Sequence, residues 1–230
     1  MLGTELKSTD HHPYLGVELA SSMDWKHHIQ NVSGKAQRTL NFLQRNLYKC
    51  PQKVRTQAYT SLIRPTLEYA ATIWDPYHQR DINSLERVQR KAVRFITGNY
   101  RRRSSVTALR ADLGFPTLQQ RRLASRLTLF YKIHNQEVSV QIPCHYIPQD
   151  TPSIKTRRTH EEQYKIIRAR TEVYKNSYFP ATIPVWNKLP ASIVTSTSSQ
   201  TFKTKIQQLV SSDQSELYMG SVVPAAASLN

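Results

Sequence analysis

A chain of 230 residues with 39% hydrophobic content is long enough for one or two domains with a real core, which excludes a disordered polyelectrolyte. Lys and Arg number 32 against 16 Asp and Glu, a net charge of +16; residues 80–126 hold twelve basic and three acidic residues, +9, against +3 over 1–79 and +4 over 127–230. Two cysteines, Cys50 and Cys144, are too few for a disulfide framework or a Cys-rich zinc site, and no secretory signal or apolar run of membrane-spanning length is present, so the expected location is intracellular, nuclear or cytoplasmic, and not secreted.

Thr4 to Lys7 and Tyr14 to Leu19 alternate in polarity and predict a small N-terminal β-hairpin joined through Ser8 to Pro13, with YLGVEL as its better strand. Ser21, Ser22 and Asp24 are N-cap candidates for a helix of roughly six turns, in which Ile29, Val32, Ala36, Leu40, Leu43 and Leu47 recur at steps of three and four. Arg38 and Arg45 fall on the far side of that stripe. Cys50-Pro51 opens the next helix, whose apolar stripe reads Val54, Ala58, Leu62 until Arg64-Pro65 interrupts it. Thr66 to Trp74 predicts helix again, with Leu67, Ala70, Ala71 and Trp74 inward and an end at Asp75-Pro76-Tyr77.

The most clearly two-faced segment follows, between Asp81 and Gly98. At 100° per residue Ile82, Leu85, Val88, Gln89, Ala92, Val93, Phe95 and Ile96 share one side, while Arg87, Arg90, Lys91 and Arg94 occupy a separate arc. One face wants a core and the other wants anions. Asp81 is the candidate N-cap and Gly98 the left-handed stop. Arg101, Arg102 and Arg103 come next in a loop, then a short helix from Val106 to Leu113 capped by Ser104 or Ser105 and stopped by Gly114, then a longer one capped by Thr117 and running to Ile133. In the latter Leu123, Leu127 and Phe130 mark the core side, and Leu129 and Ile133 widen it.

Residues 136–162 lack periodicity and predict an irregular crossing. The Pro-bracketed YFPATIPVWNKLP predicts an apolar plug of Phe179, Ile183, Val185, Trp186 and Leu189, and Ser198 or Ser199 caps a last helix with Phe202, Ile206 and Leu209. The expected fold is mainly α: a hairpin at 1–20, a thumb-like helical bundle at 21–135, an irregular C-terminal extension at 136–210 and a disordered tail at 211–230.

Catalytic signatures are sparse. The sequence contains no adjacent Asp-Asp, no GxxxxGK[ST], no HExxH and no GxSxG. Glu68 and Asp75 could share a helix face, but read better as a solvated or Arg-paired residue and a turn former. The histidine pairs His11-His12 and His27-His28, and His145 and His160 around Cys144, read as solvated side chains, and Cys50 as a partly buried thiol. No catalytic residue, metal ligand or cofactor is assigned. The basic arc with Arg101 to Arg103 is the strong signal, with phosphate as its ligand class. Tyr69, Trp74, Tyr77 and Tyr100 either stack on bases or belong to the core.

Six blocks carry a resemblance: YLGVEL at 14–19, WKHHI at 25–29, KAQRTLNFLQRNL at 35–47, SLIRPTLEYAATIWDPY at 61–77, LERVQRKAVRFITG at 85–98 and YKNSYFPATIPVWNKLP at 174–190. In this order and spacing they resemble the C-terminal part of reverse transcriptases encoded by non-LTR (LINE-type) retrotransposons of animals, over about residues 1–207. The resemblance implies that the hairpin corresponds to the primer-grip edge of the palm, 25–98 to a thumb-like region and the rest to the C-terminal extension. It also implies a deficit: the family's aromatic-Ala-Asp-Asp turn, which holds the metal ions of polymerisation, precedes the segment resembling YLGVEL. The chain is thus expected to grip an RNA or DNA template-primer without catalysing synthesis, through Arg87, Arg90, Lys91, Arg94, Arg101, Arg102, Arg103, Arg38 and Arg45. The alternatives are a non-enzymatic interaction protein whose basic helix face meets an acidic partner or a membrane surface, and a truncated open reading frame with no selected role.

Overall fold

The computed structural model describes residues 9–148 and 160–212; Thr4 to Lys7 and the tail from 213 lie outside them. The described fold is mainly α with one small antiparallel hairpin, and the chain divides into two compact units between Leu118 and Gln119. That division falls inside the segment assigned to 21–135, because Leu123, Leu127 and Phe130 cluster with residues 183–210.

In the first unit the hairpin pairs β1 (His11–Tyr14) with β2 (Val17–Ala20). YLGVEL is therefore not one strand. Leu15 and Gly16 lie at φ 47° and 80°, the two positive angles that a tight primed turn demands, so the chain reverses inside the block. The strand paired with β2 is His11–Tyr14, and the expected Thr4 to Lys7 lies outside the described residues. Val17 and Ala20 turn inward, and Val17 joins the core under α1 (Lys26–Leu47).

Helix α1 buries Ile29, Ala36, Leu40 and Leu43 as its periodicity predicts. Asp24 serves its first turn by accepting from the Lys26 N–H at 3.1 Å. His28 is buried as well, contrary to its reading as solvated: its Nδ1 accepts from the Glu18 N–H at 3.2 Å, and its ring meets Trp74 edge-on at 5.1 Å.

The following segment departs from its expected phase. After α2 (Gln52–Ala58) comes a π-helical turn, Tyr59–Ile63, and then α3 (Arg64–Glu68), with the Arg64 N–H bonded to the Tyr59 carbonyl. The widened turn carries the chain past Pro65, whose nitrogen has no proton to give an α-helical ladder. Val54 and Leu62 face solvent, and Tyr59, Ile63 and Leu67 form the buried stripe. The helix stops at Glu68 instead of reaching Trp74: Ala70 takes φ 52°, and the fully buried Trp74 donates Nε1 to the Tyr69 carbonyl at 2.8 Å, closing a compact turn. Ala71 is buried with Trp74, while Ala70 is only partly so.

Helix α4 (Gln79–Thr97) buries all eight residues of its predicted apolar face. Its N-cap is His78, so Asp81 lies within the first turn, where its carboxylate still suits the helix N-terminus. Gly98 ends it at φ 66°. Ser33 meets Ser84 and Gln37 meets Lys91, so α1 and α4 run side by side in the same sense. Arg55 from α2 donates to the Phe95 carbonyl at 2.6 Å, placing a cation at the α4 C-terminus. The short helix α5 (Val106–Asp112) is capped by Ser105, whose hydroxyl accepts from the Ala108 N–H.

The second unit is built on α6 (Leu118–His134). After it the described residues up to α7 are irregular apart from a 3-10 turn at Cys144–Tyr146; helices α7 (Glu172–Lys175), α8 (Tyr178–Trp186), α9 (Ala191–Val194) and α10 (Ser199–Ser212) follow. The apolar plug is largely helix α8, despite its prolines. Pro180 sits in the first turn, where no N–H is needed, and Pro184 falls near the end. Its Ile183, Val185 and Trp186, with Leu189, are buried against Leu123, Leu127, Phe130, Phe202 and Ile206, and Phe179 packs partly buried at the edge. Ser198 caps α10 by accepting from the Thr201 N–H at 3.2 Å. His160, also expected in solvent, is buried, with Nε2 at 3.1 Å from the Trp186 carbonyl.

Burial lowers the pKa of two imidazoles, His28 in the first unit and His134 in the second. Each folded pKa lies below its unfolded value, so the unfolded chain binds more protons as pH falls through about 6.5. Protonating His28 also removes the acceptor of the Glu18 N–H. The thermal midpoint should therefore be lower at pH 5.5 than at 7.5. Asp24, whose hydrogen bond from Ser22 lowers its pKa, loses its contribution only at more acidic pH, outside this window. A midpoint that held or rose on acidification would contradict the assignment.

Candidate nucleic-acid interface

The α4 face turned away from the core presents Arg87, Arg90 and Lys91 to solvent, because the apolar stripe that orients the helix leaves these positions outward. Among the described residues, Arg87 and Arg90 form no ion pair. Lys91 donates Nζ to Gln37 Oε1 on α1 at 2.8 Å, which fixes the ammonium on the seam between the two helices.

Arg94 behaves differently from its three neighbours. Its Nη1 donates to the Asn99 and Arg101 carbonyls, each at 3.2 Å, and Nη2 to the Ser104 carbonyl at 3.4 Å. The guanidinium is half-buried and serves as a brace for the loop, whereas Arg87, Arg90 and Lys91 stand exposed. Asn99 adds to the brace by accepting from the Arg101 N–H through Oδ1 at 3.2 Å. The loop it holds carries Arg101, Arg102 and Arg103, all exposed, with Tyr100 exposed beside them. Five outward guanidinium groups and one ammonium thus belong to a single helix and the loop braced against its end.

Arg38 stands apart from this face. It lies with Lys35 on the flank of α1 opposite Gln37, along a groove of about 710 Å³ whose other wall comprises Leu15, Gly16, Pro65, Thr66 and Tyr69. Arg45 is exposed in the last turn of α1. Of the four aromatic candidates, Trp74 is core, Tyr77 is half-buried, and Tyr69 and Tyr100 are exposed. Lys35 was not singled out by sequence reasoning. Its spacing of three from Arg38 on the polar side of a well-defined helix is the signal that could have found it.

Among the described residues no group of three or more His, Cys, Asp or Glu is placed to hold a metal ion, and no helix is long and apolar enough to cross a membrane. His27 pairs with Glu18 and stacks on His11 at 4.6 Å, which engages those side chains with one another. The first unit presents exposed cations on α4 and its following loop, with Tyr69 and Tyr100 exposed as well. Comparison with protein-family models, with curated protein sequences and with solved structures found no match for the chain.

Proposed function

We propose that this chain binds nucleic acid through backbone phosphates, using Arg87, Arg90 and Lys91 on α4 and Arg101 to Arg103 in the braced loop. The observation that carries the reading is the Arg94 brace: it holds an arginine-rich loop against the end of a helix whose outward face is already cationic. Phosphate contacts of this kind position a strand without reading its sequence, so the expected partner is an RNA or DNA template-primer gripped with little base preference. The six sequence blocks support placing this activity in the non-catalytic C-terminal part of a non-LTR retrotransposon reverse transcriptase, and the chain then binds without catalysing synthesis.

The test is fluorescence anisotropy of the purified chain against a DNA duplex and an RNA–DNA hybrid over a range of salt. With about five phosphate contacts, log K should fall by about 4 to 5 per log unit of salt on duplex DNA. Binding that ignores salt, or no binding at low ionic strength, would overturn the reading. Liposome flotation with anionic vesicles provides the contrast: stronger capture by lipid than by either nucleic acid would favour a membrane-surface role.

A further inference from the structure

We propose that the groove along the flank of α1 is a second nucleic-acid subsite, which holds unpaired nucleotides of a single strand; the inference rests on the chain being a nucleic-acid binder. The groove's volume of about 710 Å³ lies within the roughly 300–1,000 Å³ of small-ligand sites, room for one or two nucleotides at most. One wall carries Lys35 and Arg38, three residues apart on α1, both exposed. The other carries Tyr69, a residue 58% exposed although its hydroxyl donates to the Leu15 carbonyl at 3.0 Å. That tether holds the ring in place.

Gly16 completes the platform. A Cβ at this position would approach Tyr69 Cε1 to 3.3 Å, so the absence of a side chain lets the hairpin turn back the ring closely. His28 lies at the base of the groove lining. It is 4% exposed, its Nδ1 accepts from the Glu18 N–H, and its Nε2 has no partner among the described residues. Glu18, the acid in the lining, is engaged by His27 and by Asn31 Nδ2.

Cations on one wall and a fixed aromatic face on the other suit a phosphate and a base of the same nucleotide. A base within a duplex has both faces covered by its neighbours, so only an unpaired one has a face free for Tyr69. An acidic peptide satisfies Lys35 and Arg38 but brings no planar group to the ring. This groove and the α4 face therefore select different forms of nucleic acid.

Two probes separate the subsite from the reading it rests on: a 12-nucleotide single strand and a blunt duplex of equal length. Tyr69→Ala should weaken single-strand binding about tenfold, within the range for one stacked base, and Tyr69→Phe should retain most of it. Lys35→Gln should make the single-strand salt slope shallower by about 0.7, the signature of one lost phosphate contact. Duplex affinity should change by less than about twofold in all three, as expected of sites on different helix flanks. If wild-type chain binds both probes and these variants weaken them equally, or weaken neither, the groove is not a single-strand site while the phosphate-binding reading stands. If the chain binds neither probe, both readings fall. Poly-glutamate that binds as tightly and with the same dependence on Tyr69 would assign the groove to an acidic peptide. Should Tyr69→Ala unfold the hairpin, as circular dichroism and its thermal midpoint would report, the Lys35→Gln slope still decides.

Discussion

Replacing Arg87, Arg90 and Lys91 together with glutamine should weaken duplex binding about 10²- to 10³-fold near 0.1 M salt and reduce the salt slope by about 2.7, at about 0.9 per lost phosphate contact. Folding should be unaffected, since all three side chains are exposed and the opposite face of α4 carries the packing. The matched Arg94→Gln variant isolates the brace. It should lower stability by only about 1 kcal/mol, because its carbonyl partners lie at a partly exposed site that water can reach. Its effect on affinity should come through Arg101 to Arg103 losing their fixed position, with faster amide exchange over 99–104 as the independent readout. If the triple variant keeps its affinity and slope, the α4 face is an ordinary solvated surface. If Arg94→Gln flattens the slope without changing loop exchange, Arg94 contacts phosphate itself.

The different behaviour of Arg94 bears on what a sequence can reveal. A helical wheel places it in the same arc as Arg87, Arg90 and Lys91, and nothing in a period of 3.6 distinguishes a cation facing solvent from one that bends to the carbonyls beyond the helix end. A clue was present in Gly98: chains that leave a helix through a left-handed glycine bring unpaired carbonyls back toward the last turn, where an arginine finds them. The eight-residue apolar face of α4 was fully legible because its period is strong, uninterrupted and closed by that glycine. The stripe Val54, Ala58, Leu62 was misread for the converse reason. Burial falls to Tyr59, Ile63 and Leu67, one residue out of phase with it, and Arg55, a turn before Tyr59, reaches the Phe95 carbonyl where an apolar side chain would mark the inward face. In YLGVEL the alternation continued through Leu15-Gly16, so period alone suggested a strand where turn chemistry prevailed. The groove was invisible at that level: Lys35, Arg38 and Tyr69 converge only once the hairpin tip and the turn after α3 are in place.

These differences also redefine what a nucleic acid would meet. The sequence places Arg38 and Arg45 on the far side of the first long helix and leaves their relation to the α4 arc open. Burial of Ile29, Ala36 and Leu40 turns the Arg38 flank of α1 toward the hairpin, and Lys91 reaches α1 from the other side through Gln37. The first unit thus carries a cationic face and a separate cationic groove. Its hydrophobic cluster, from Val17 through Trp74 to Ile96, holds the two in fixed relation to each other.

The largest single-residue effect on stability should come from Trp186→Ala in the second unit, at about 3 to 5 kcal/mol. Trp186 is fully buried, and its ring lies 4.9 Å from Phe130 and 5.3 Å from His134 on α6, 5.9 Å from Phe202 on α10 and 6.1 Å from His160. Its Nε1 donates to the Glu162 carbonyl at 2.8 Å, while its own carbonyl lies 3.1 Å from His160 Nε2. One side chain therefore joins two helices to the irregular segment, which Asn187 also holds through Gln163 and Tyr164. Truncation leaves a cavity among aromatic rings that are themselves anchored, since Tyr131 stacks on Phe202 at 4.4 Å and its hydroxyl bonds to the Ser196 carbonyl, so collapse into the space is limited. Trp186→Phe, which keeps a ring but loses the Glu162 bond, should cost less than half as much. In hydrogen exchange the loss should concentrate in 160–167 and in α8, and the amides of α1 and α4 should retain protection, because the core around Leu40 and Leu85 shares no residue with the one around Trp186. Equal loss of protection in both units would show that they unfold as one cooperative body.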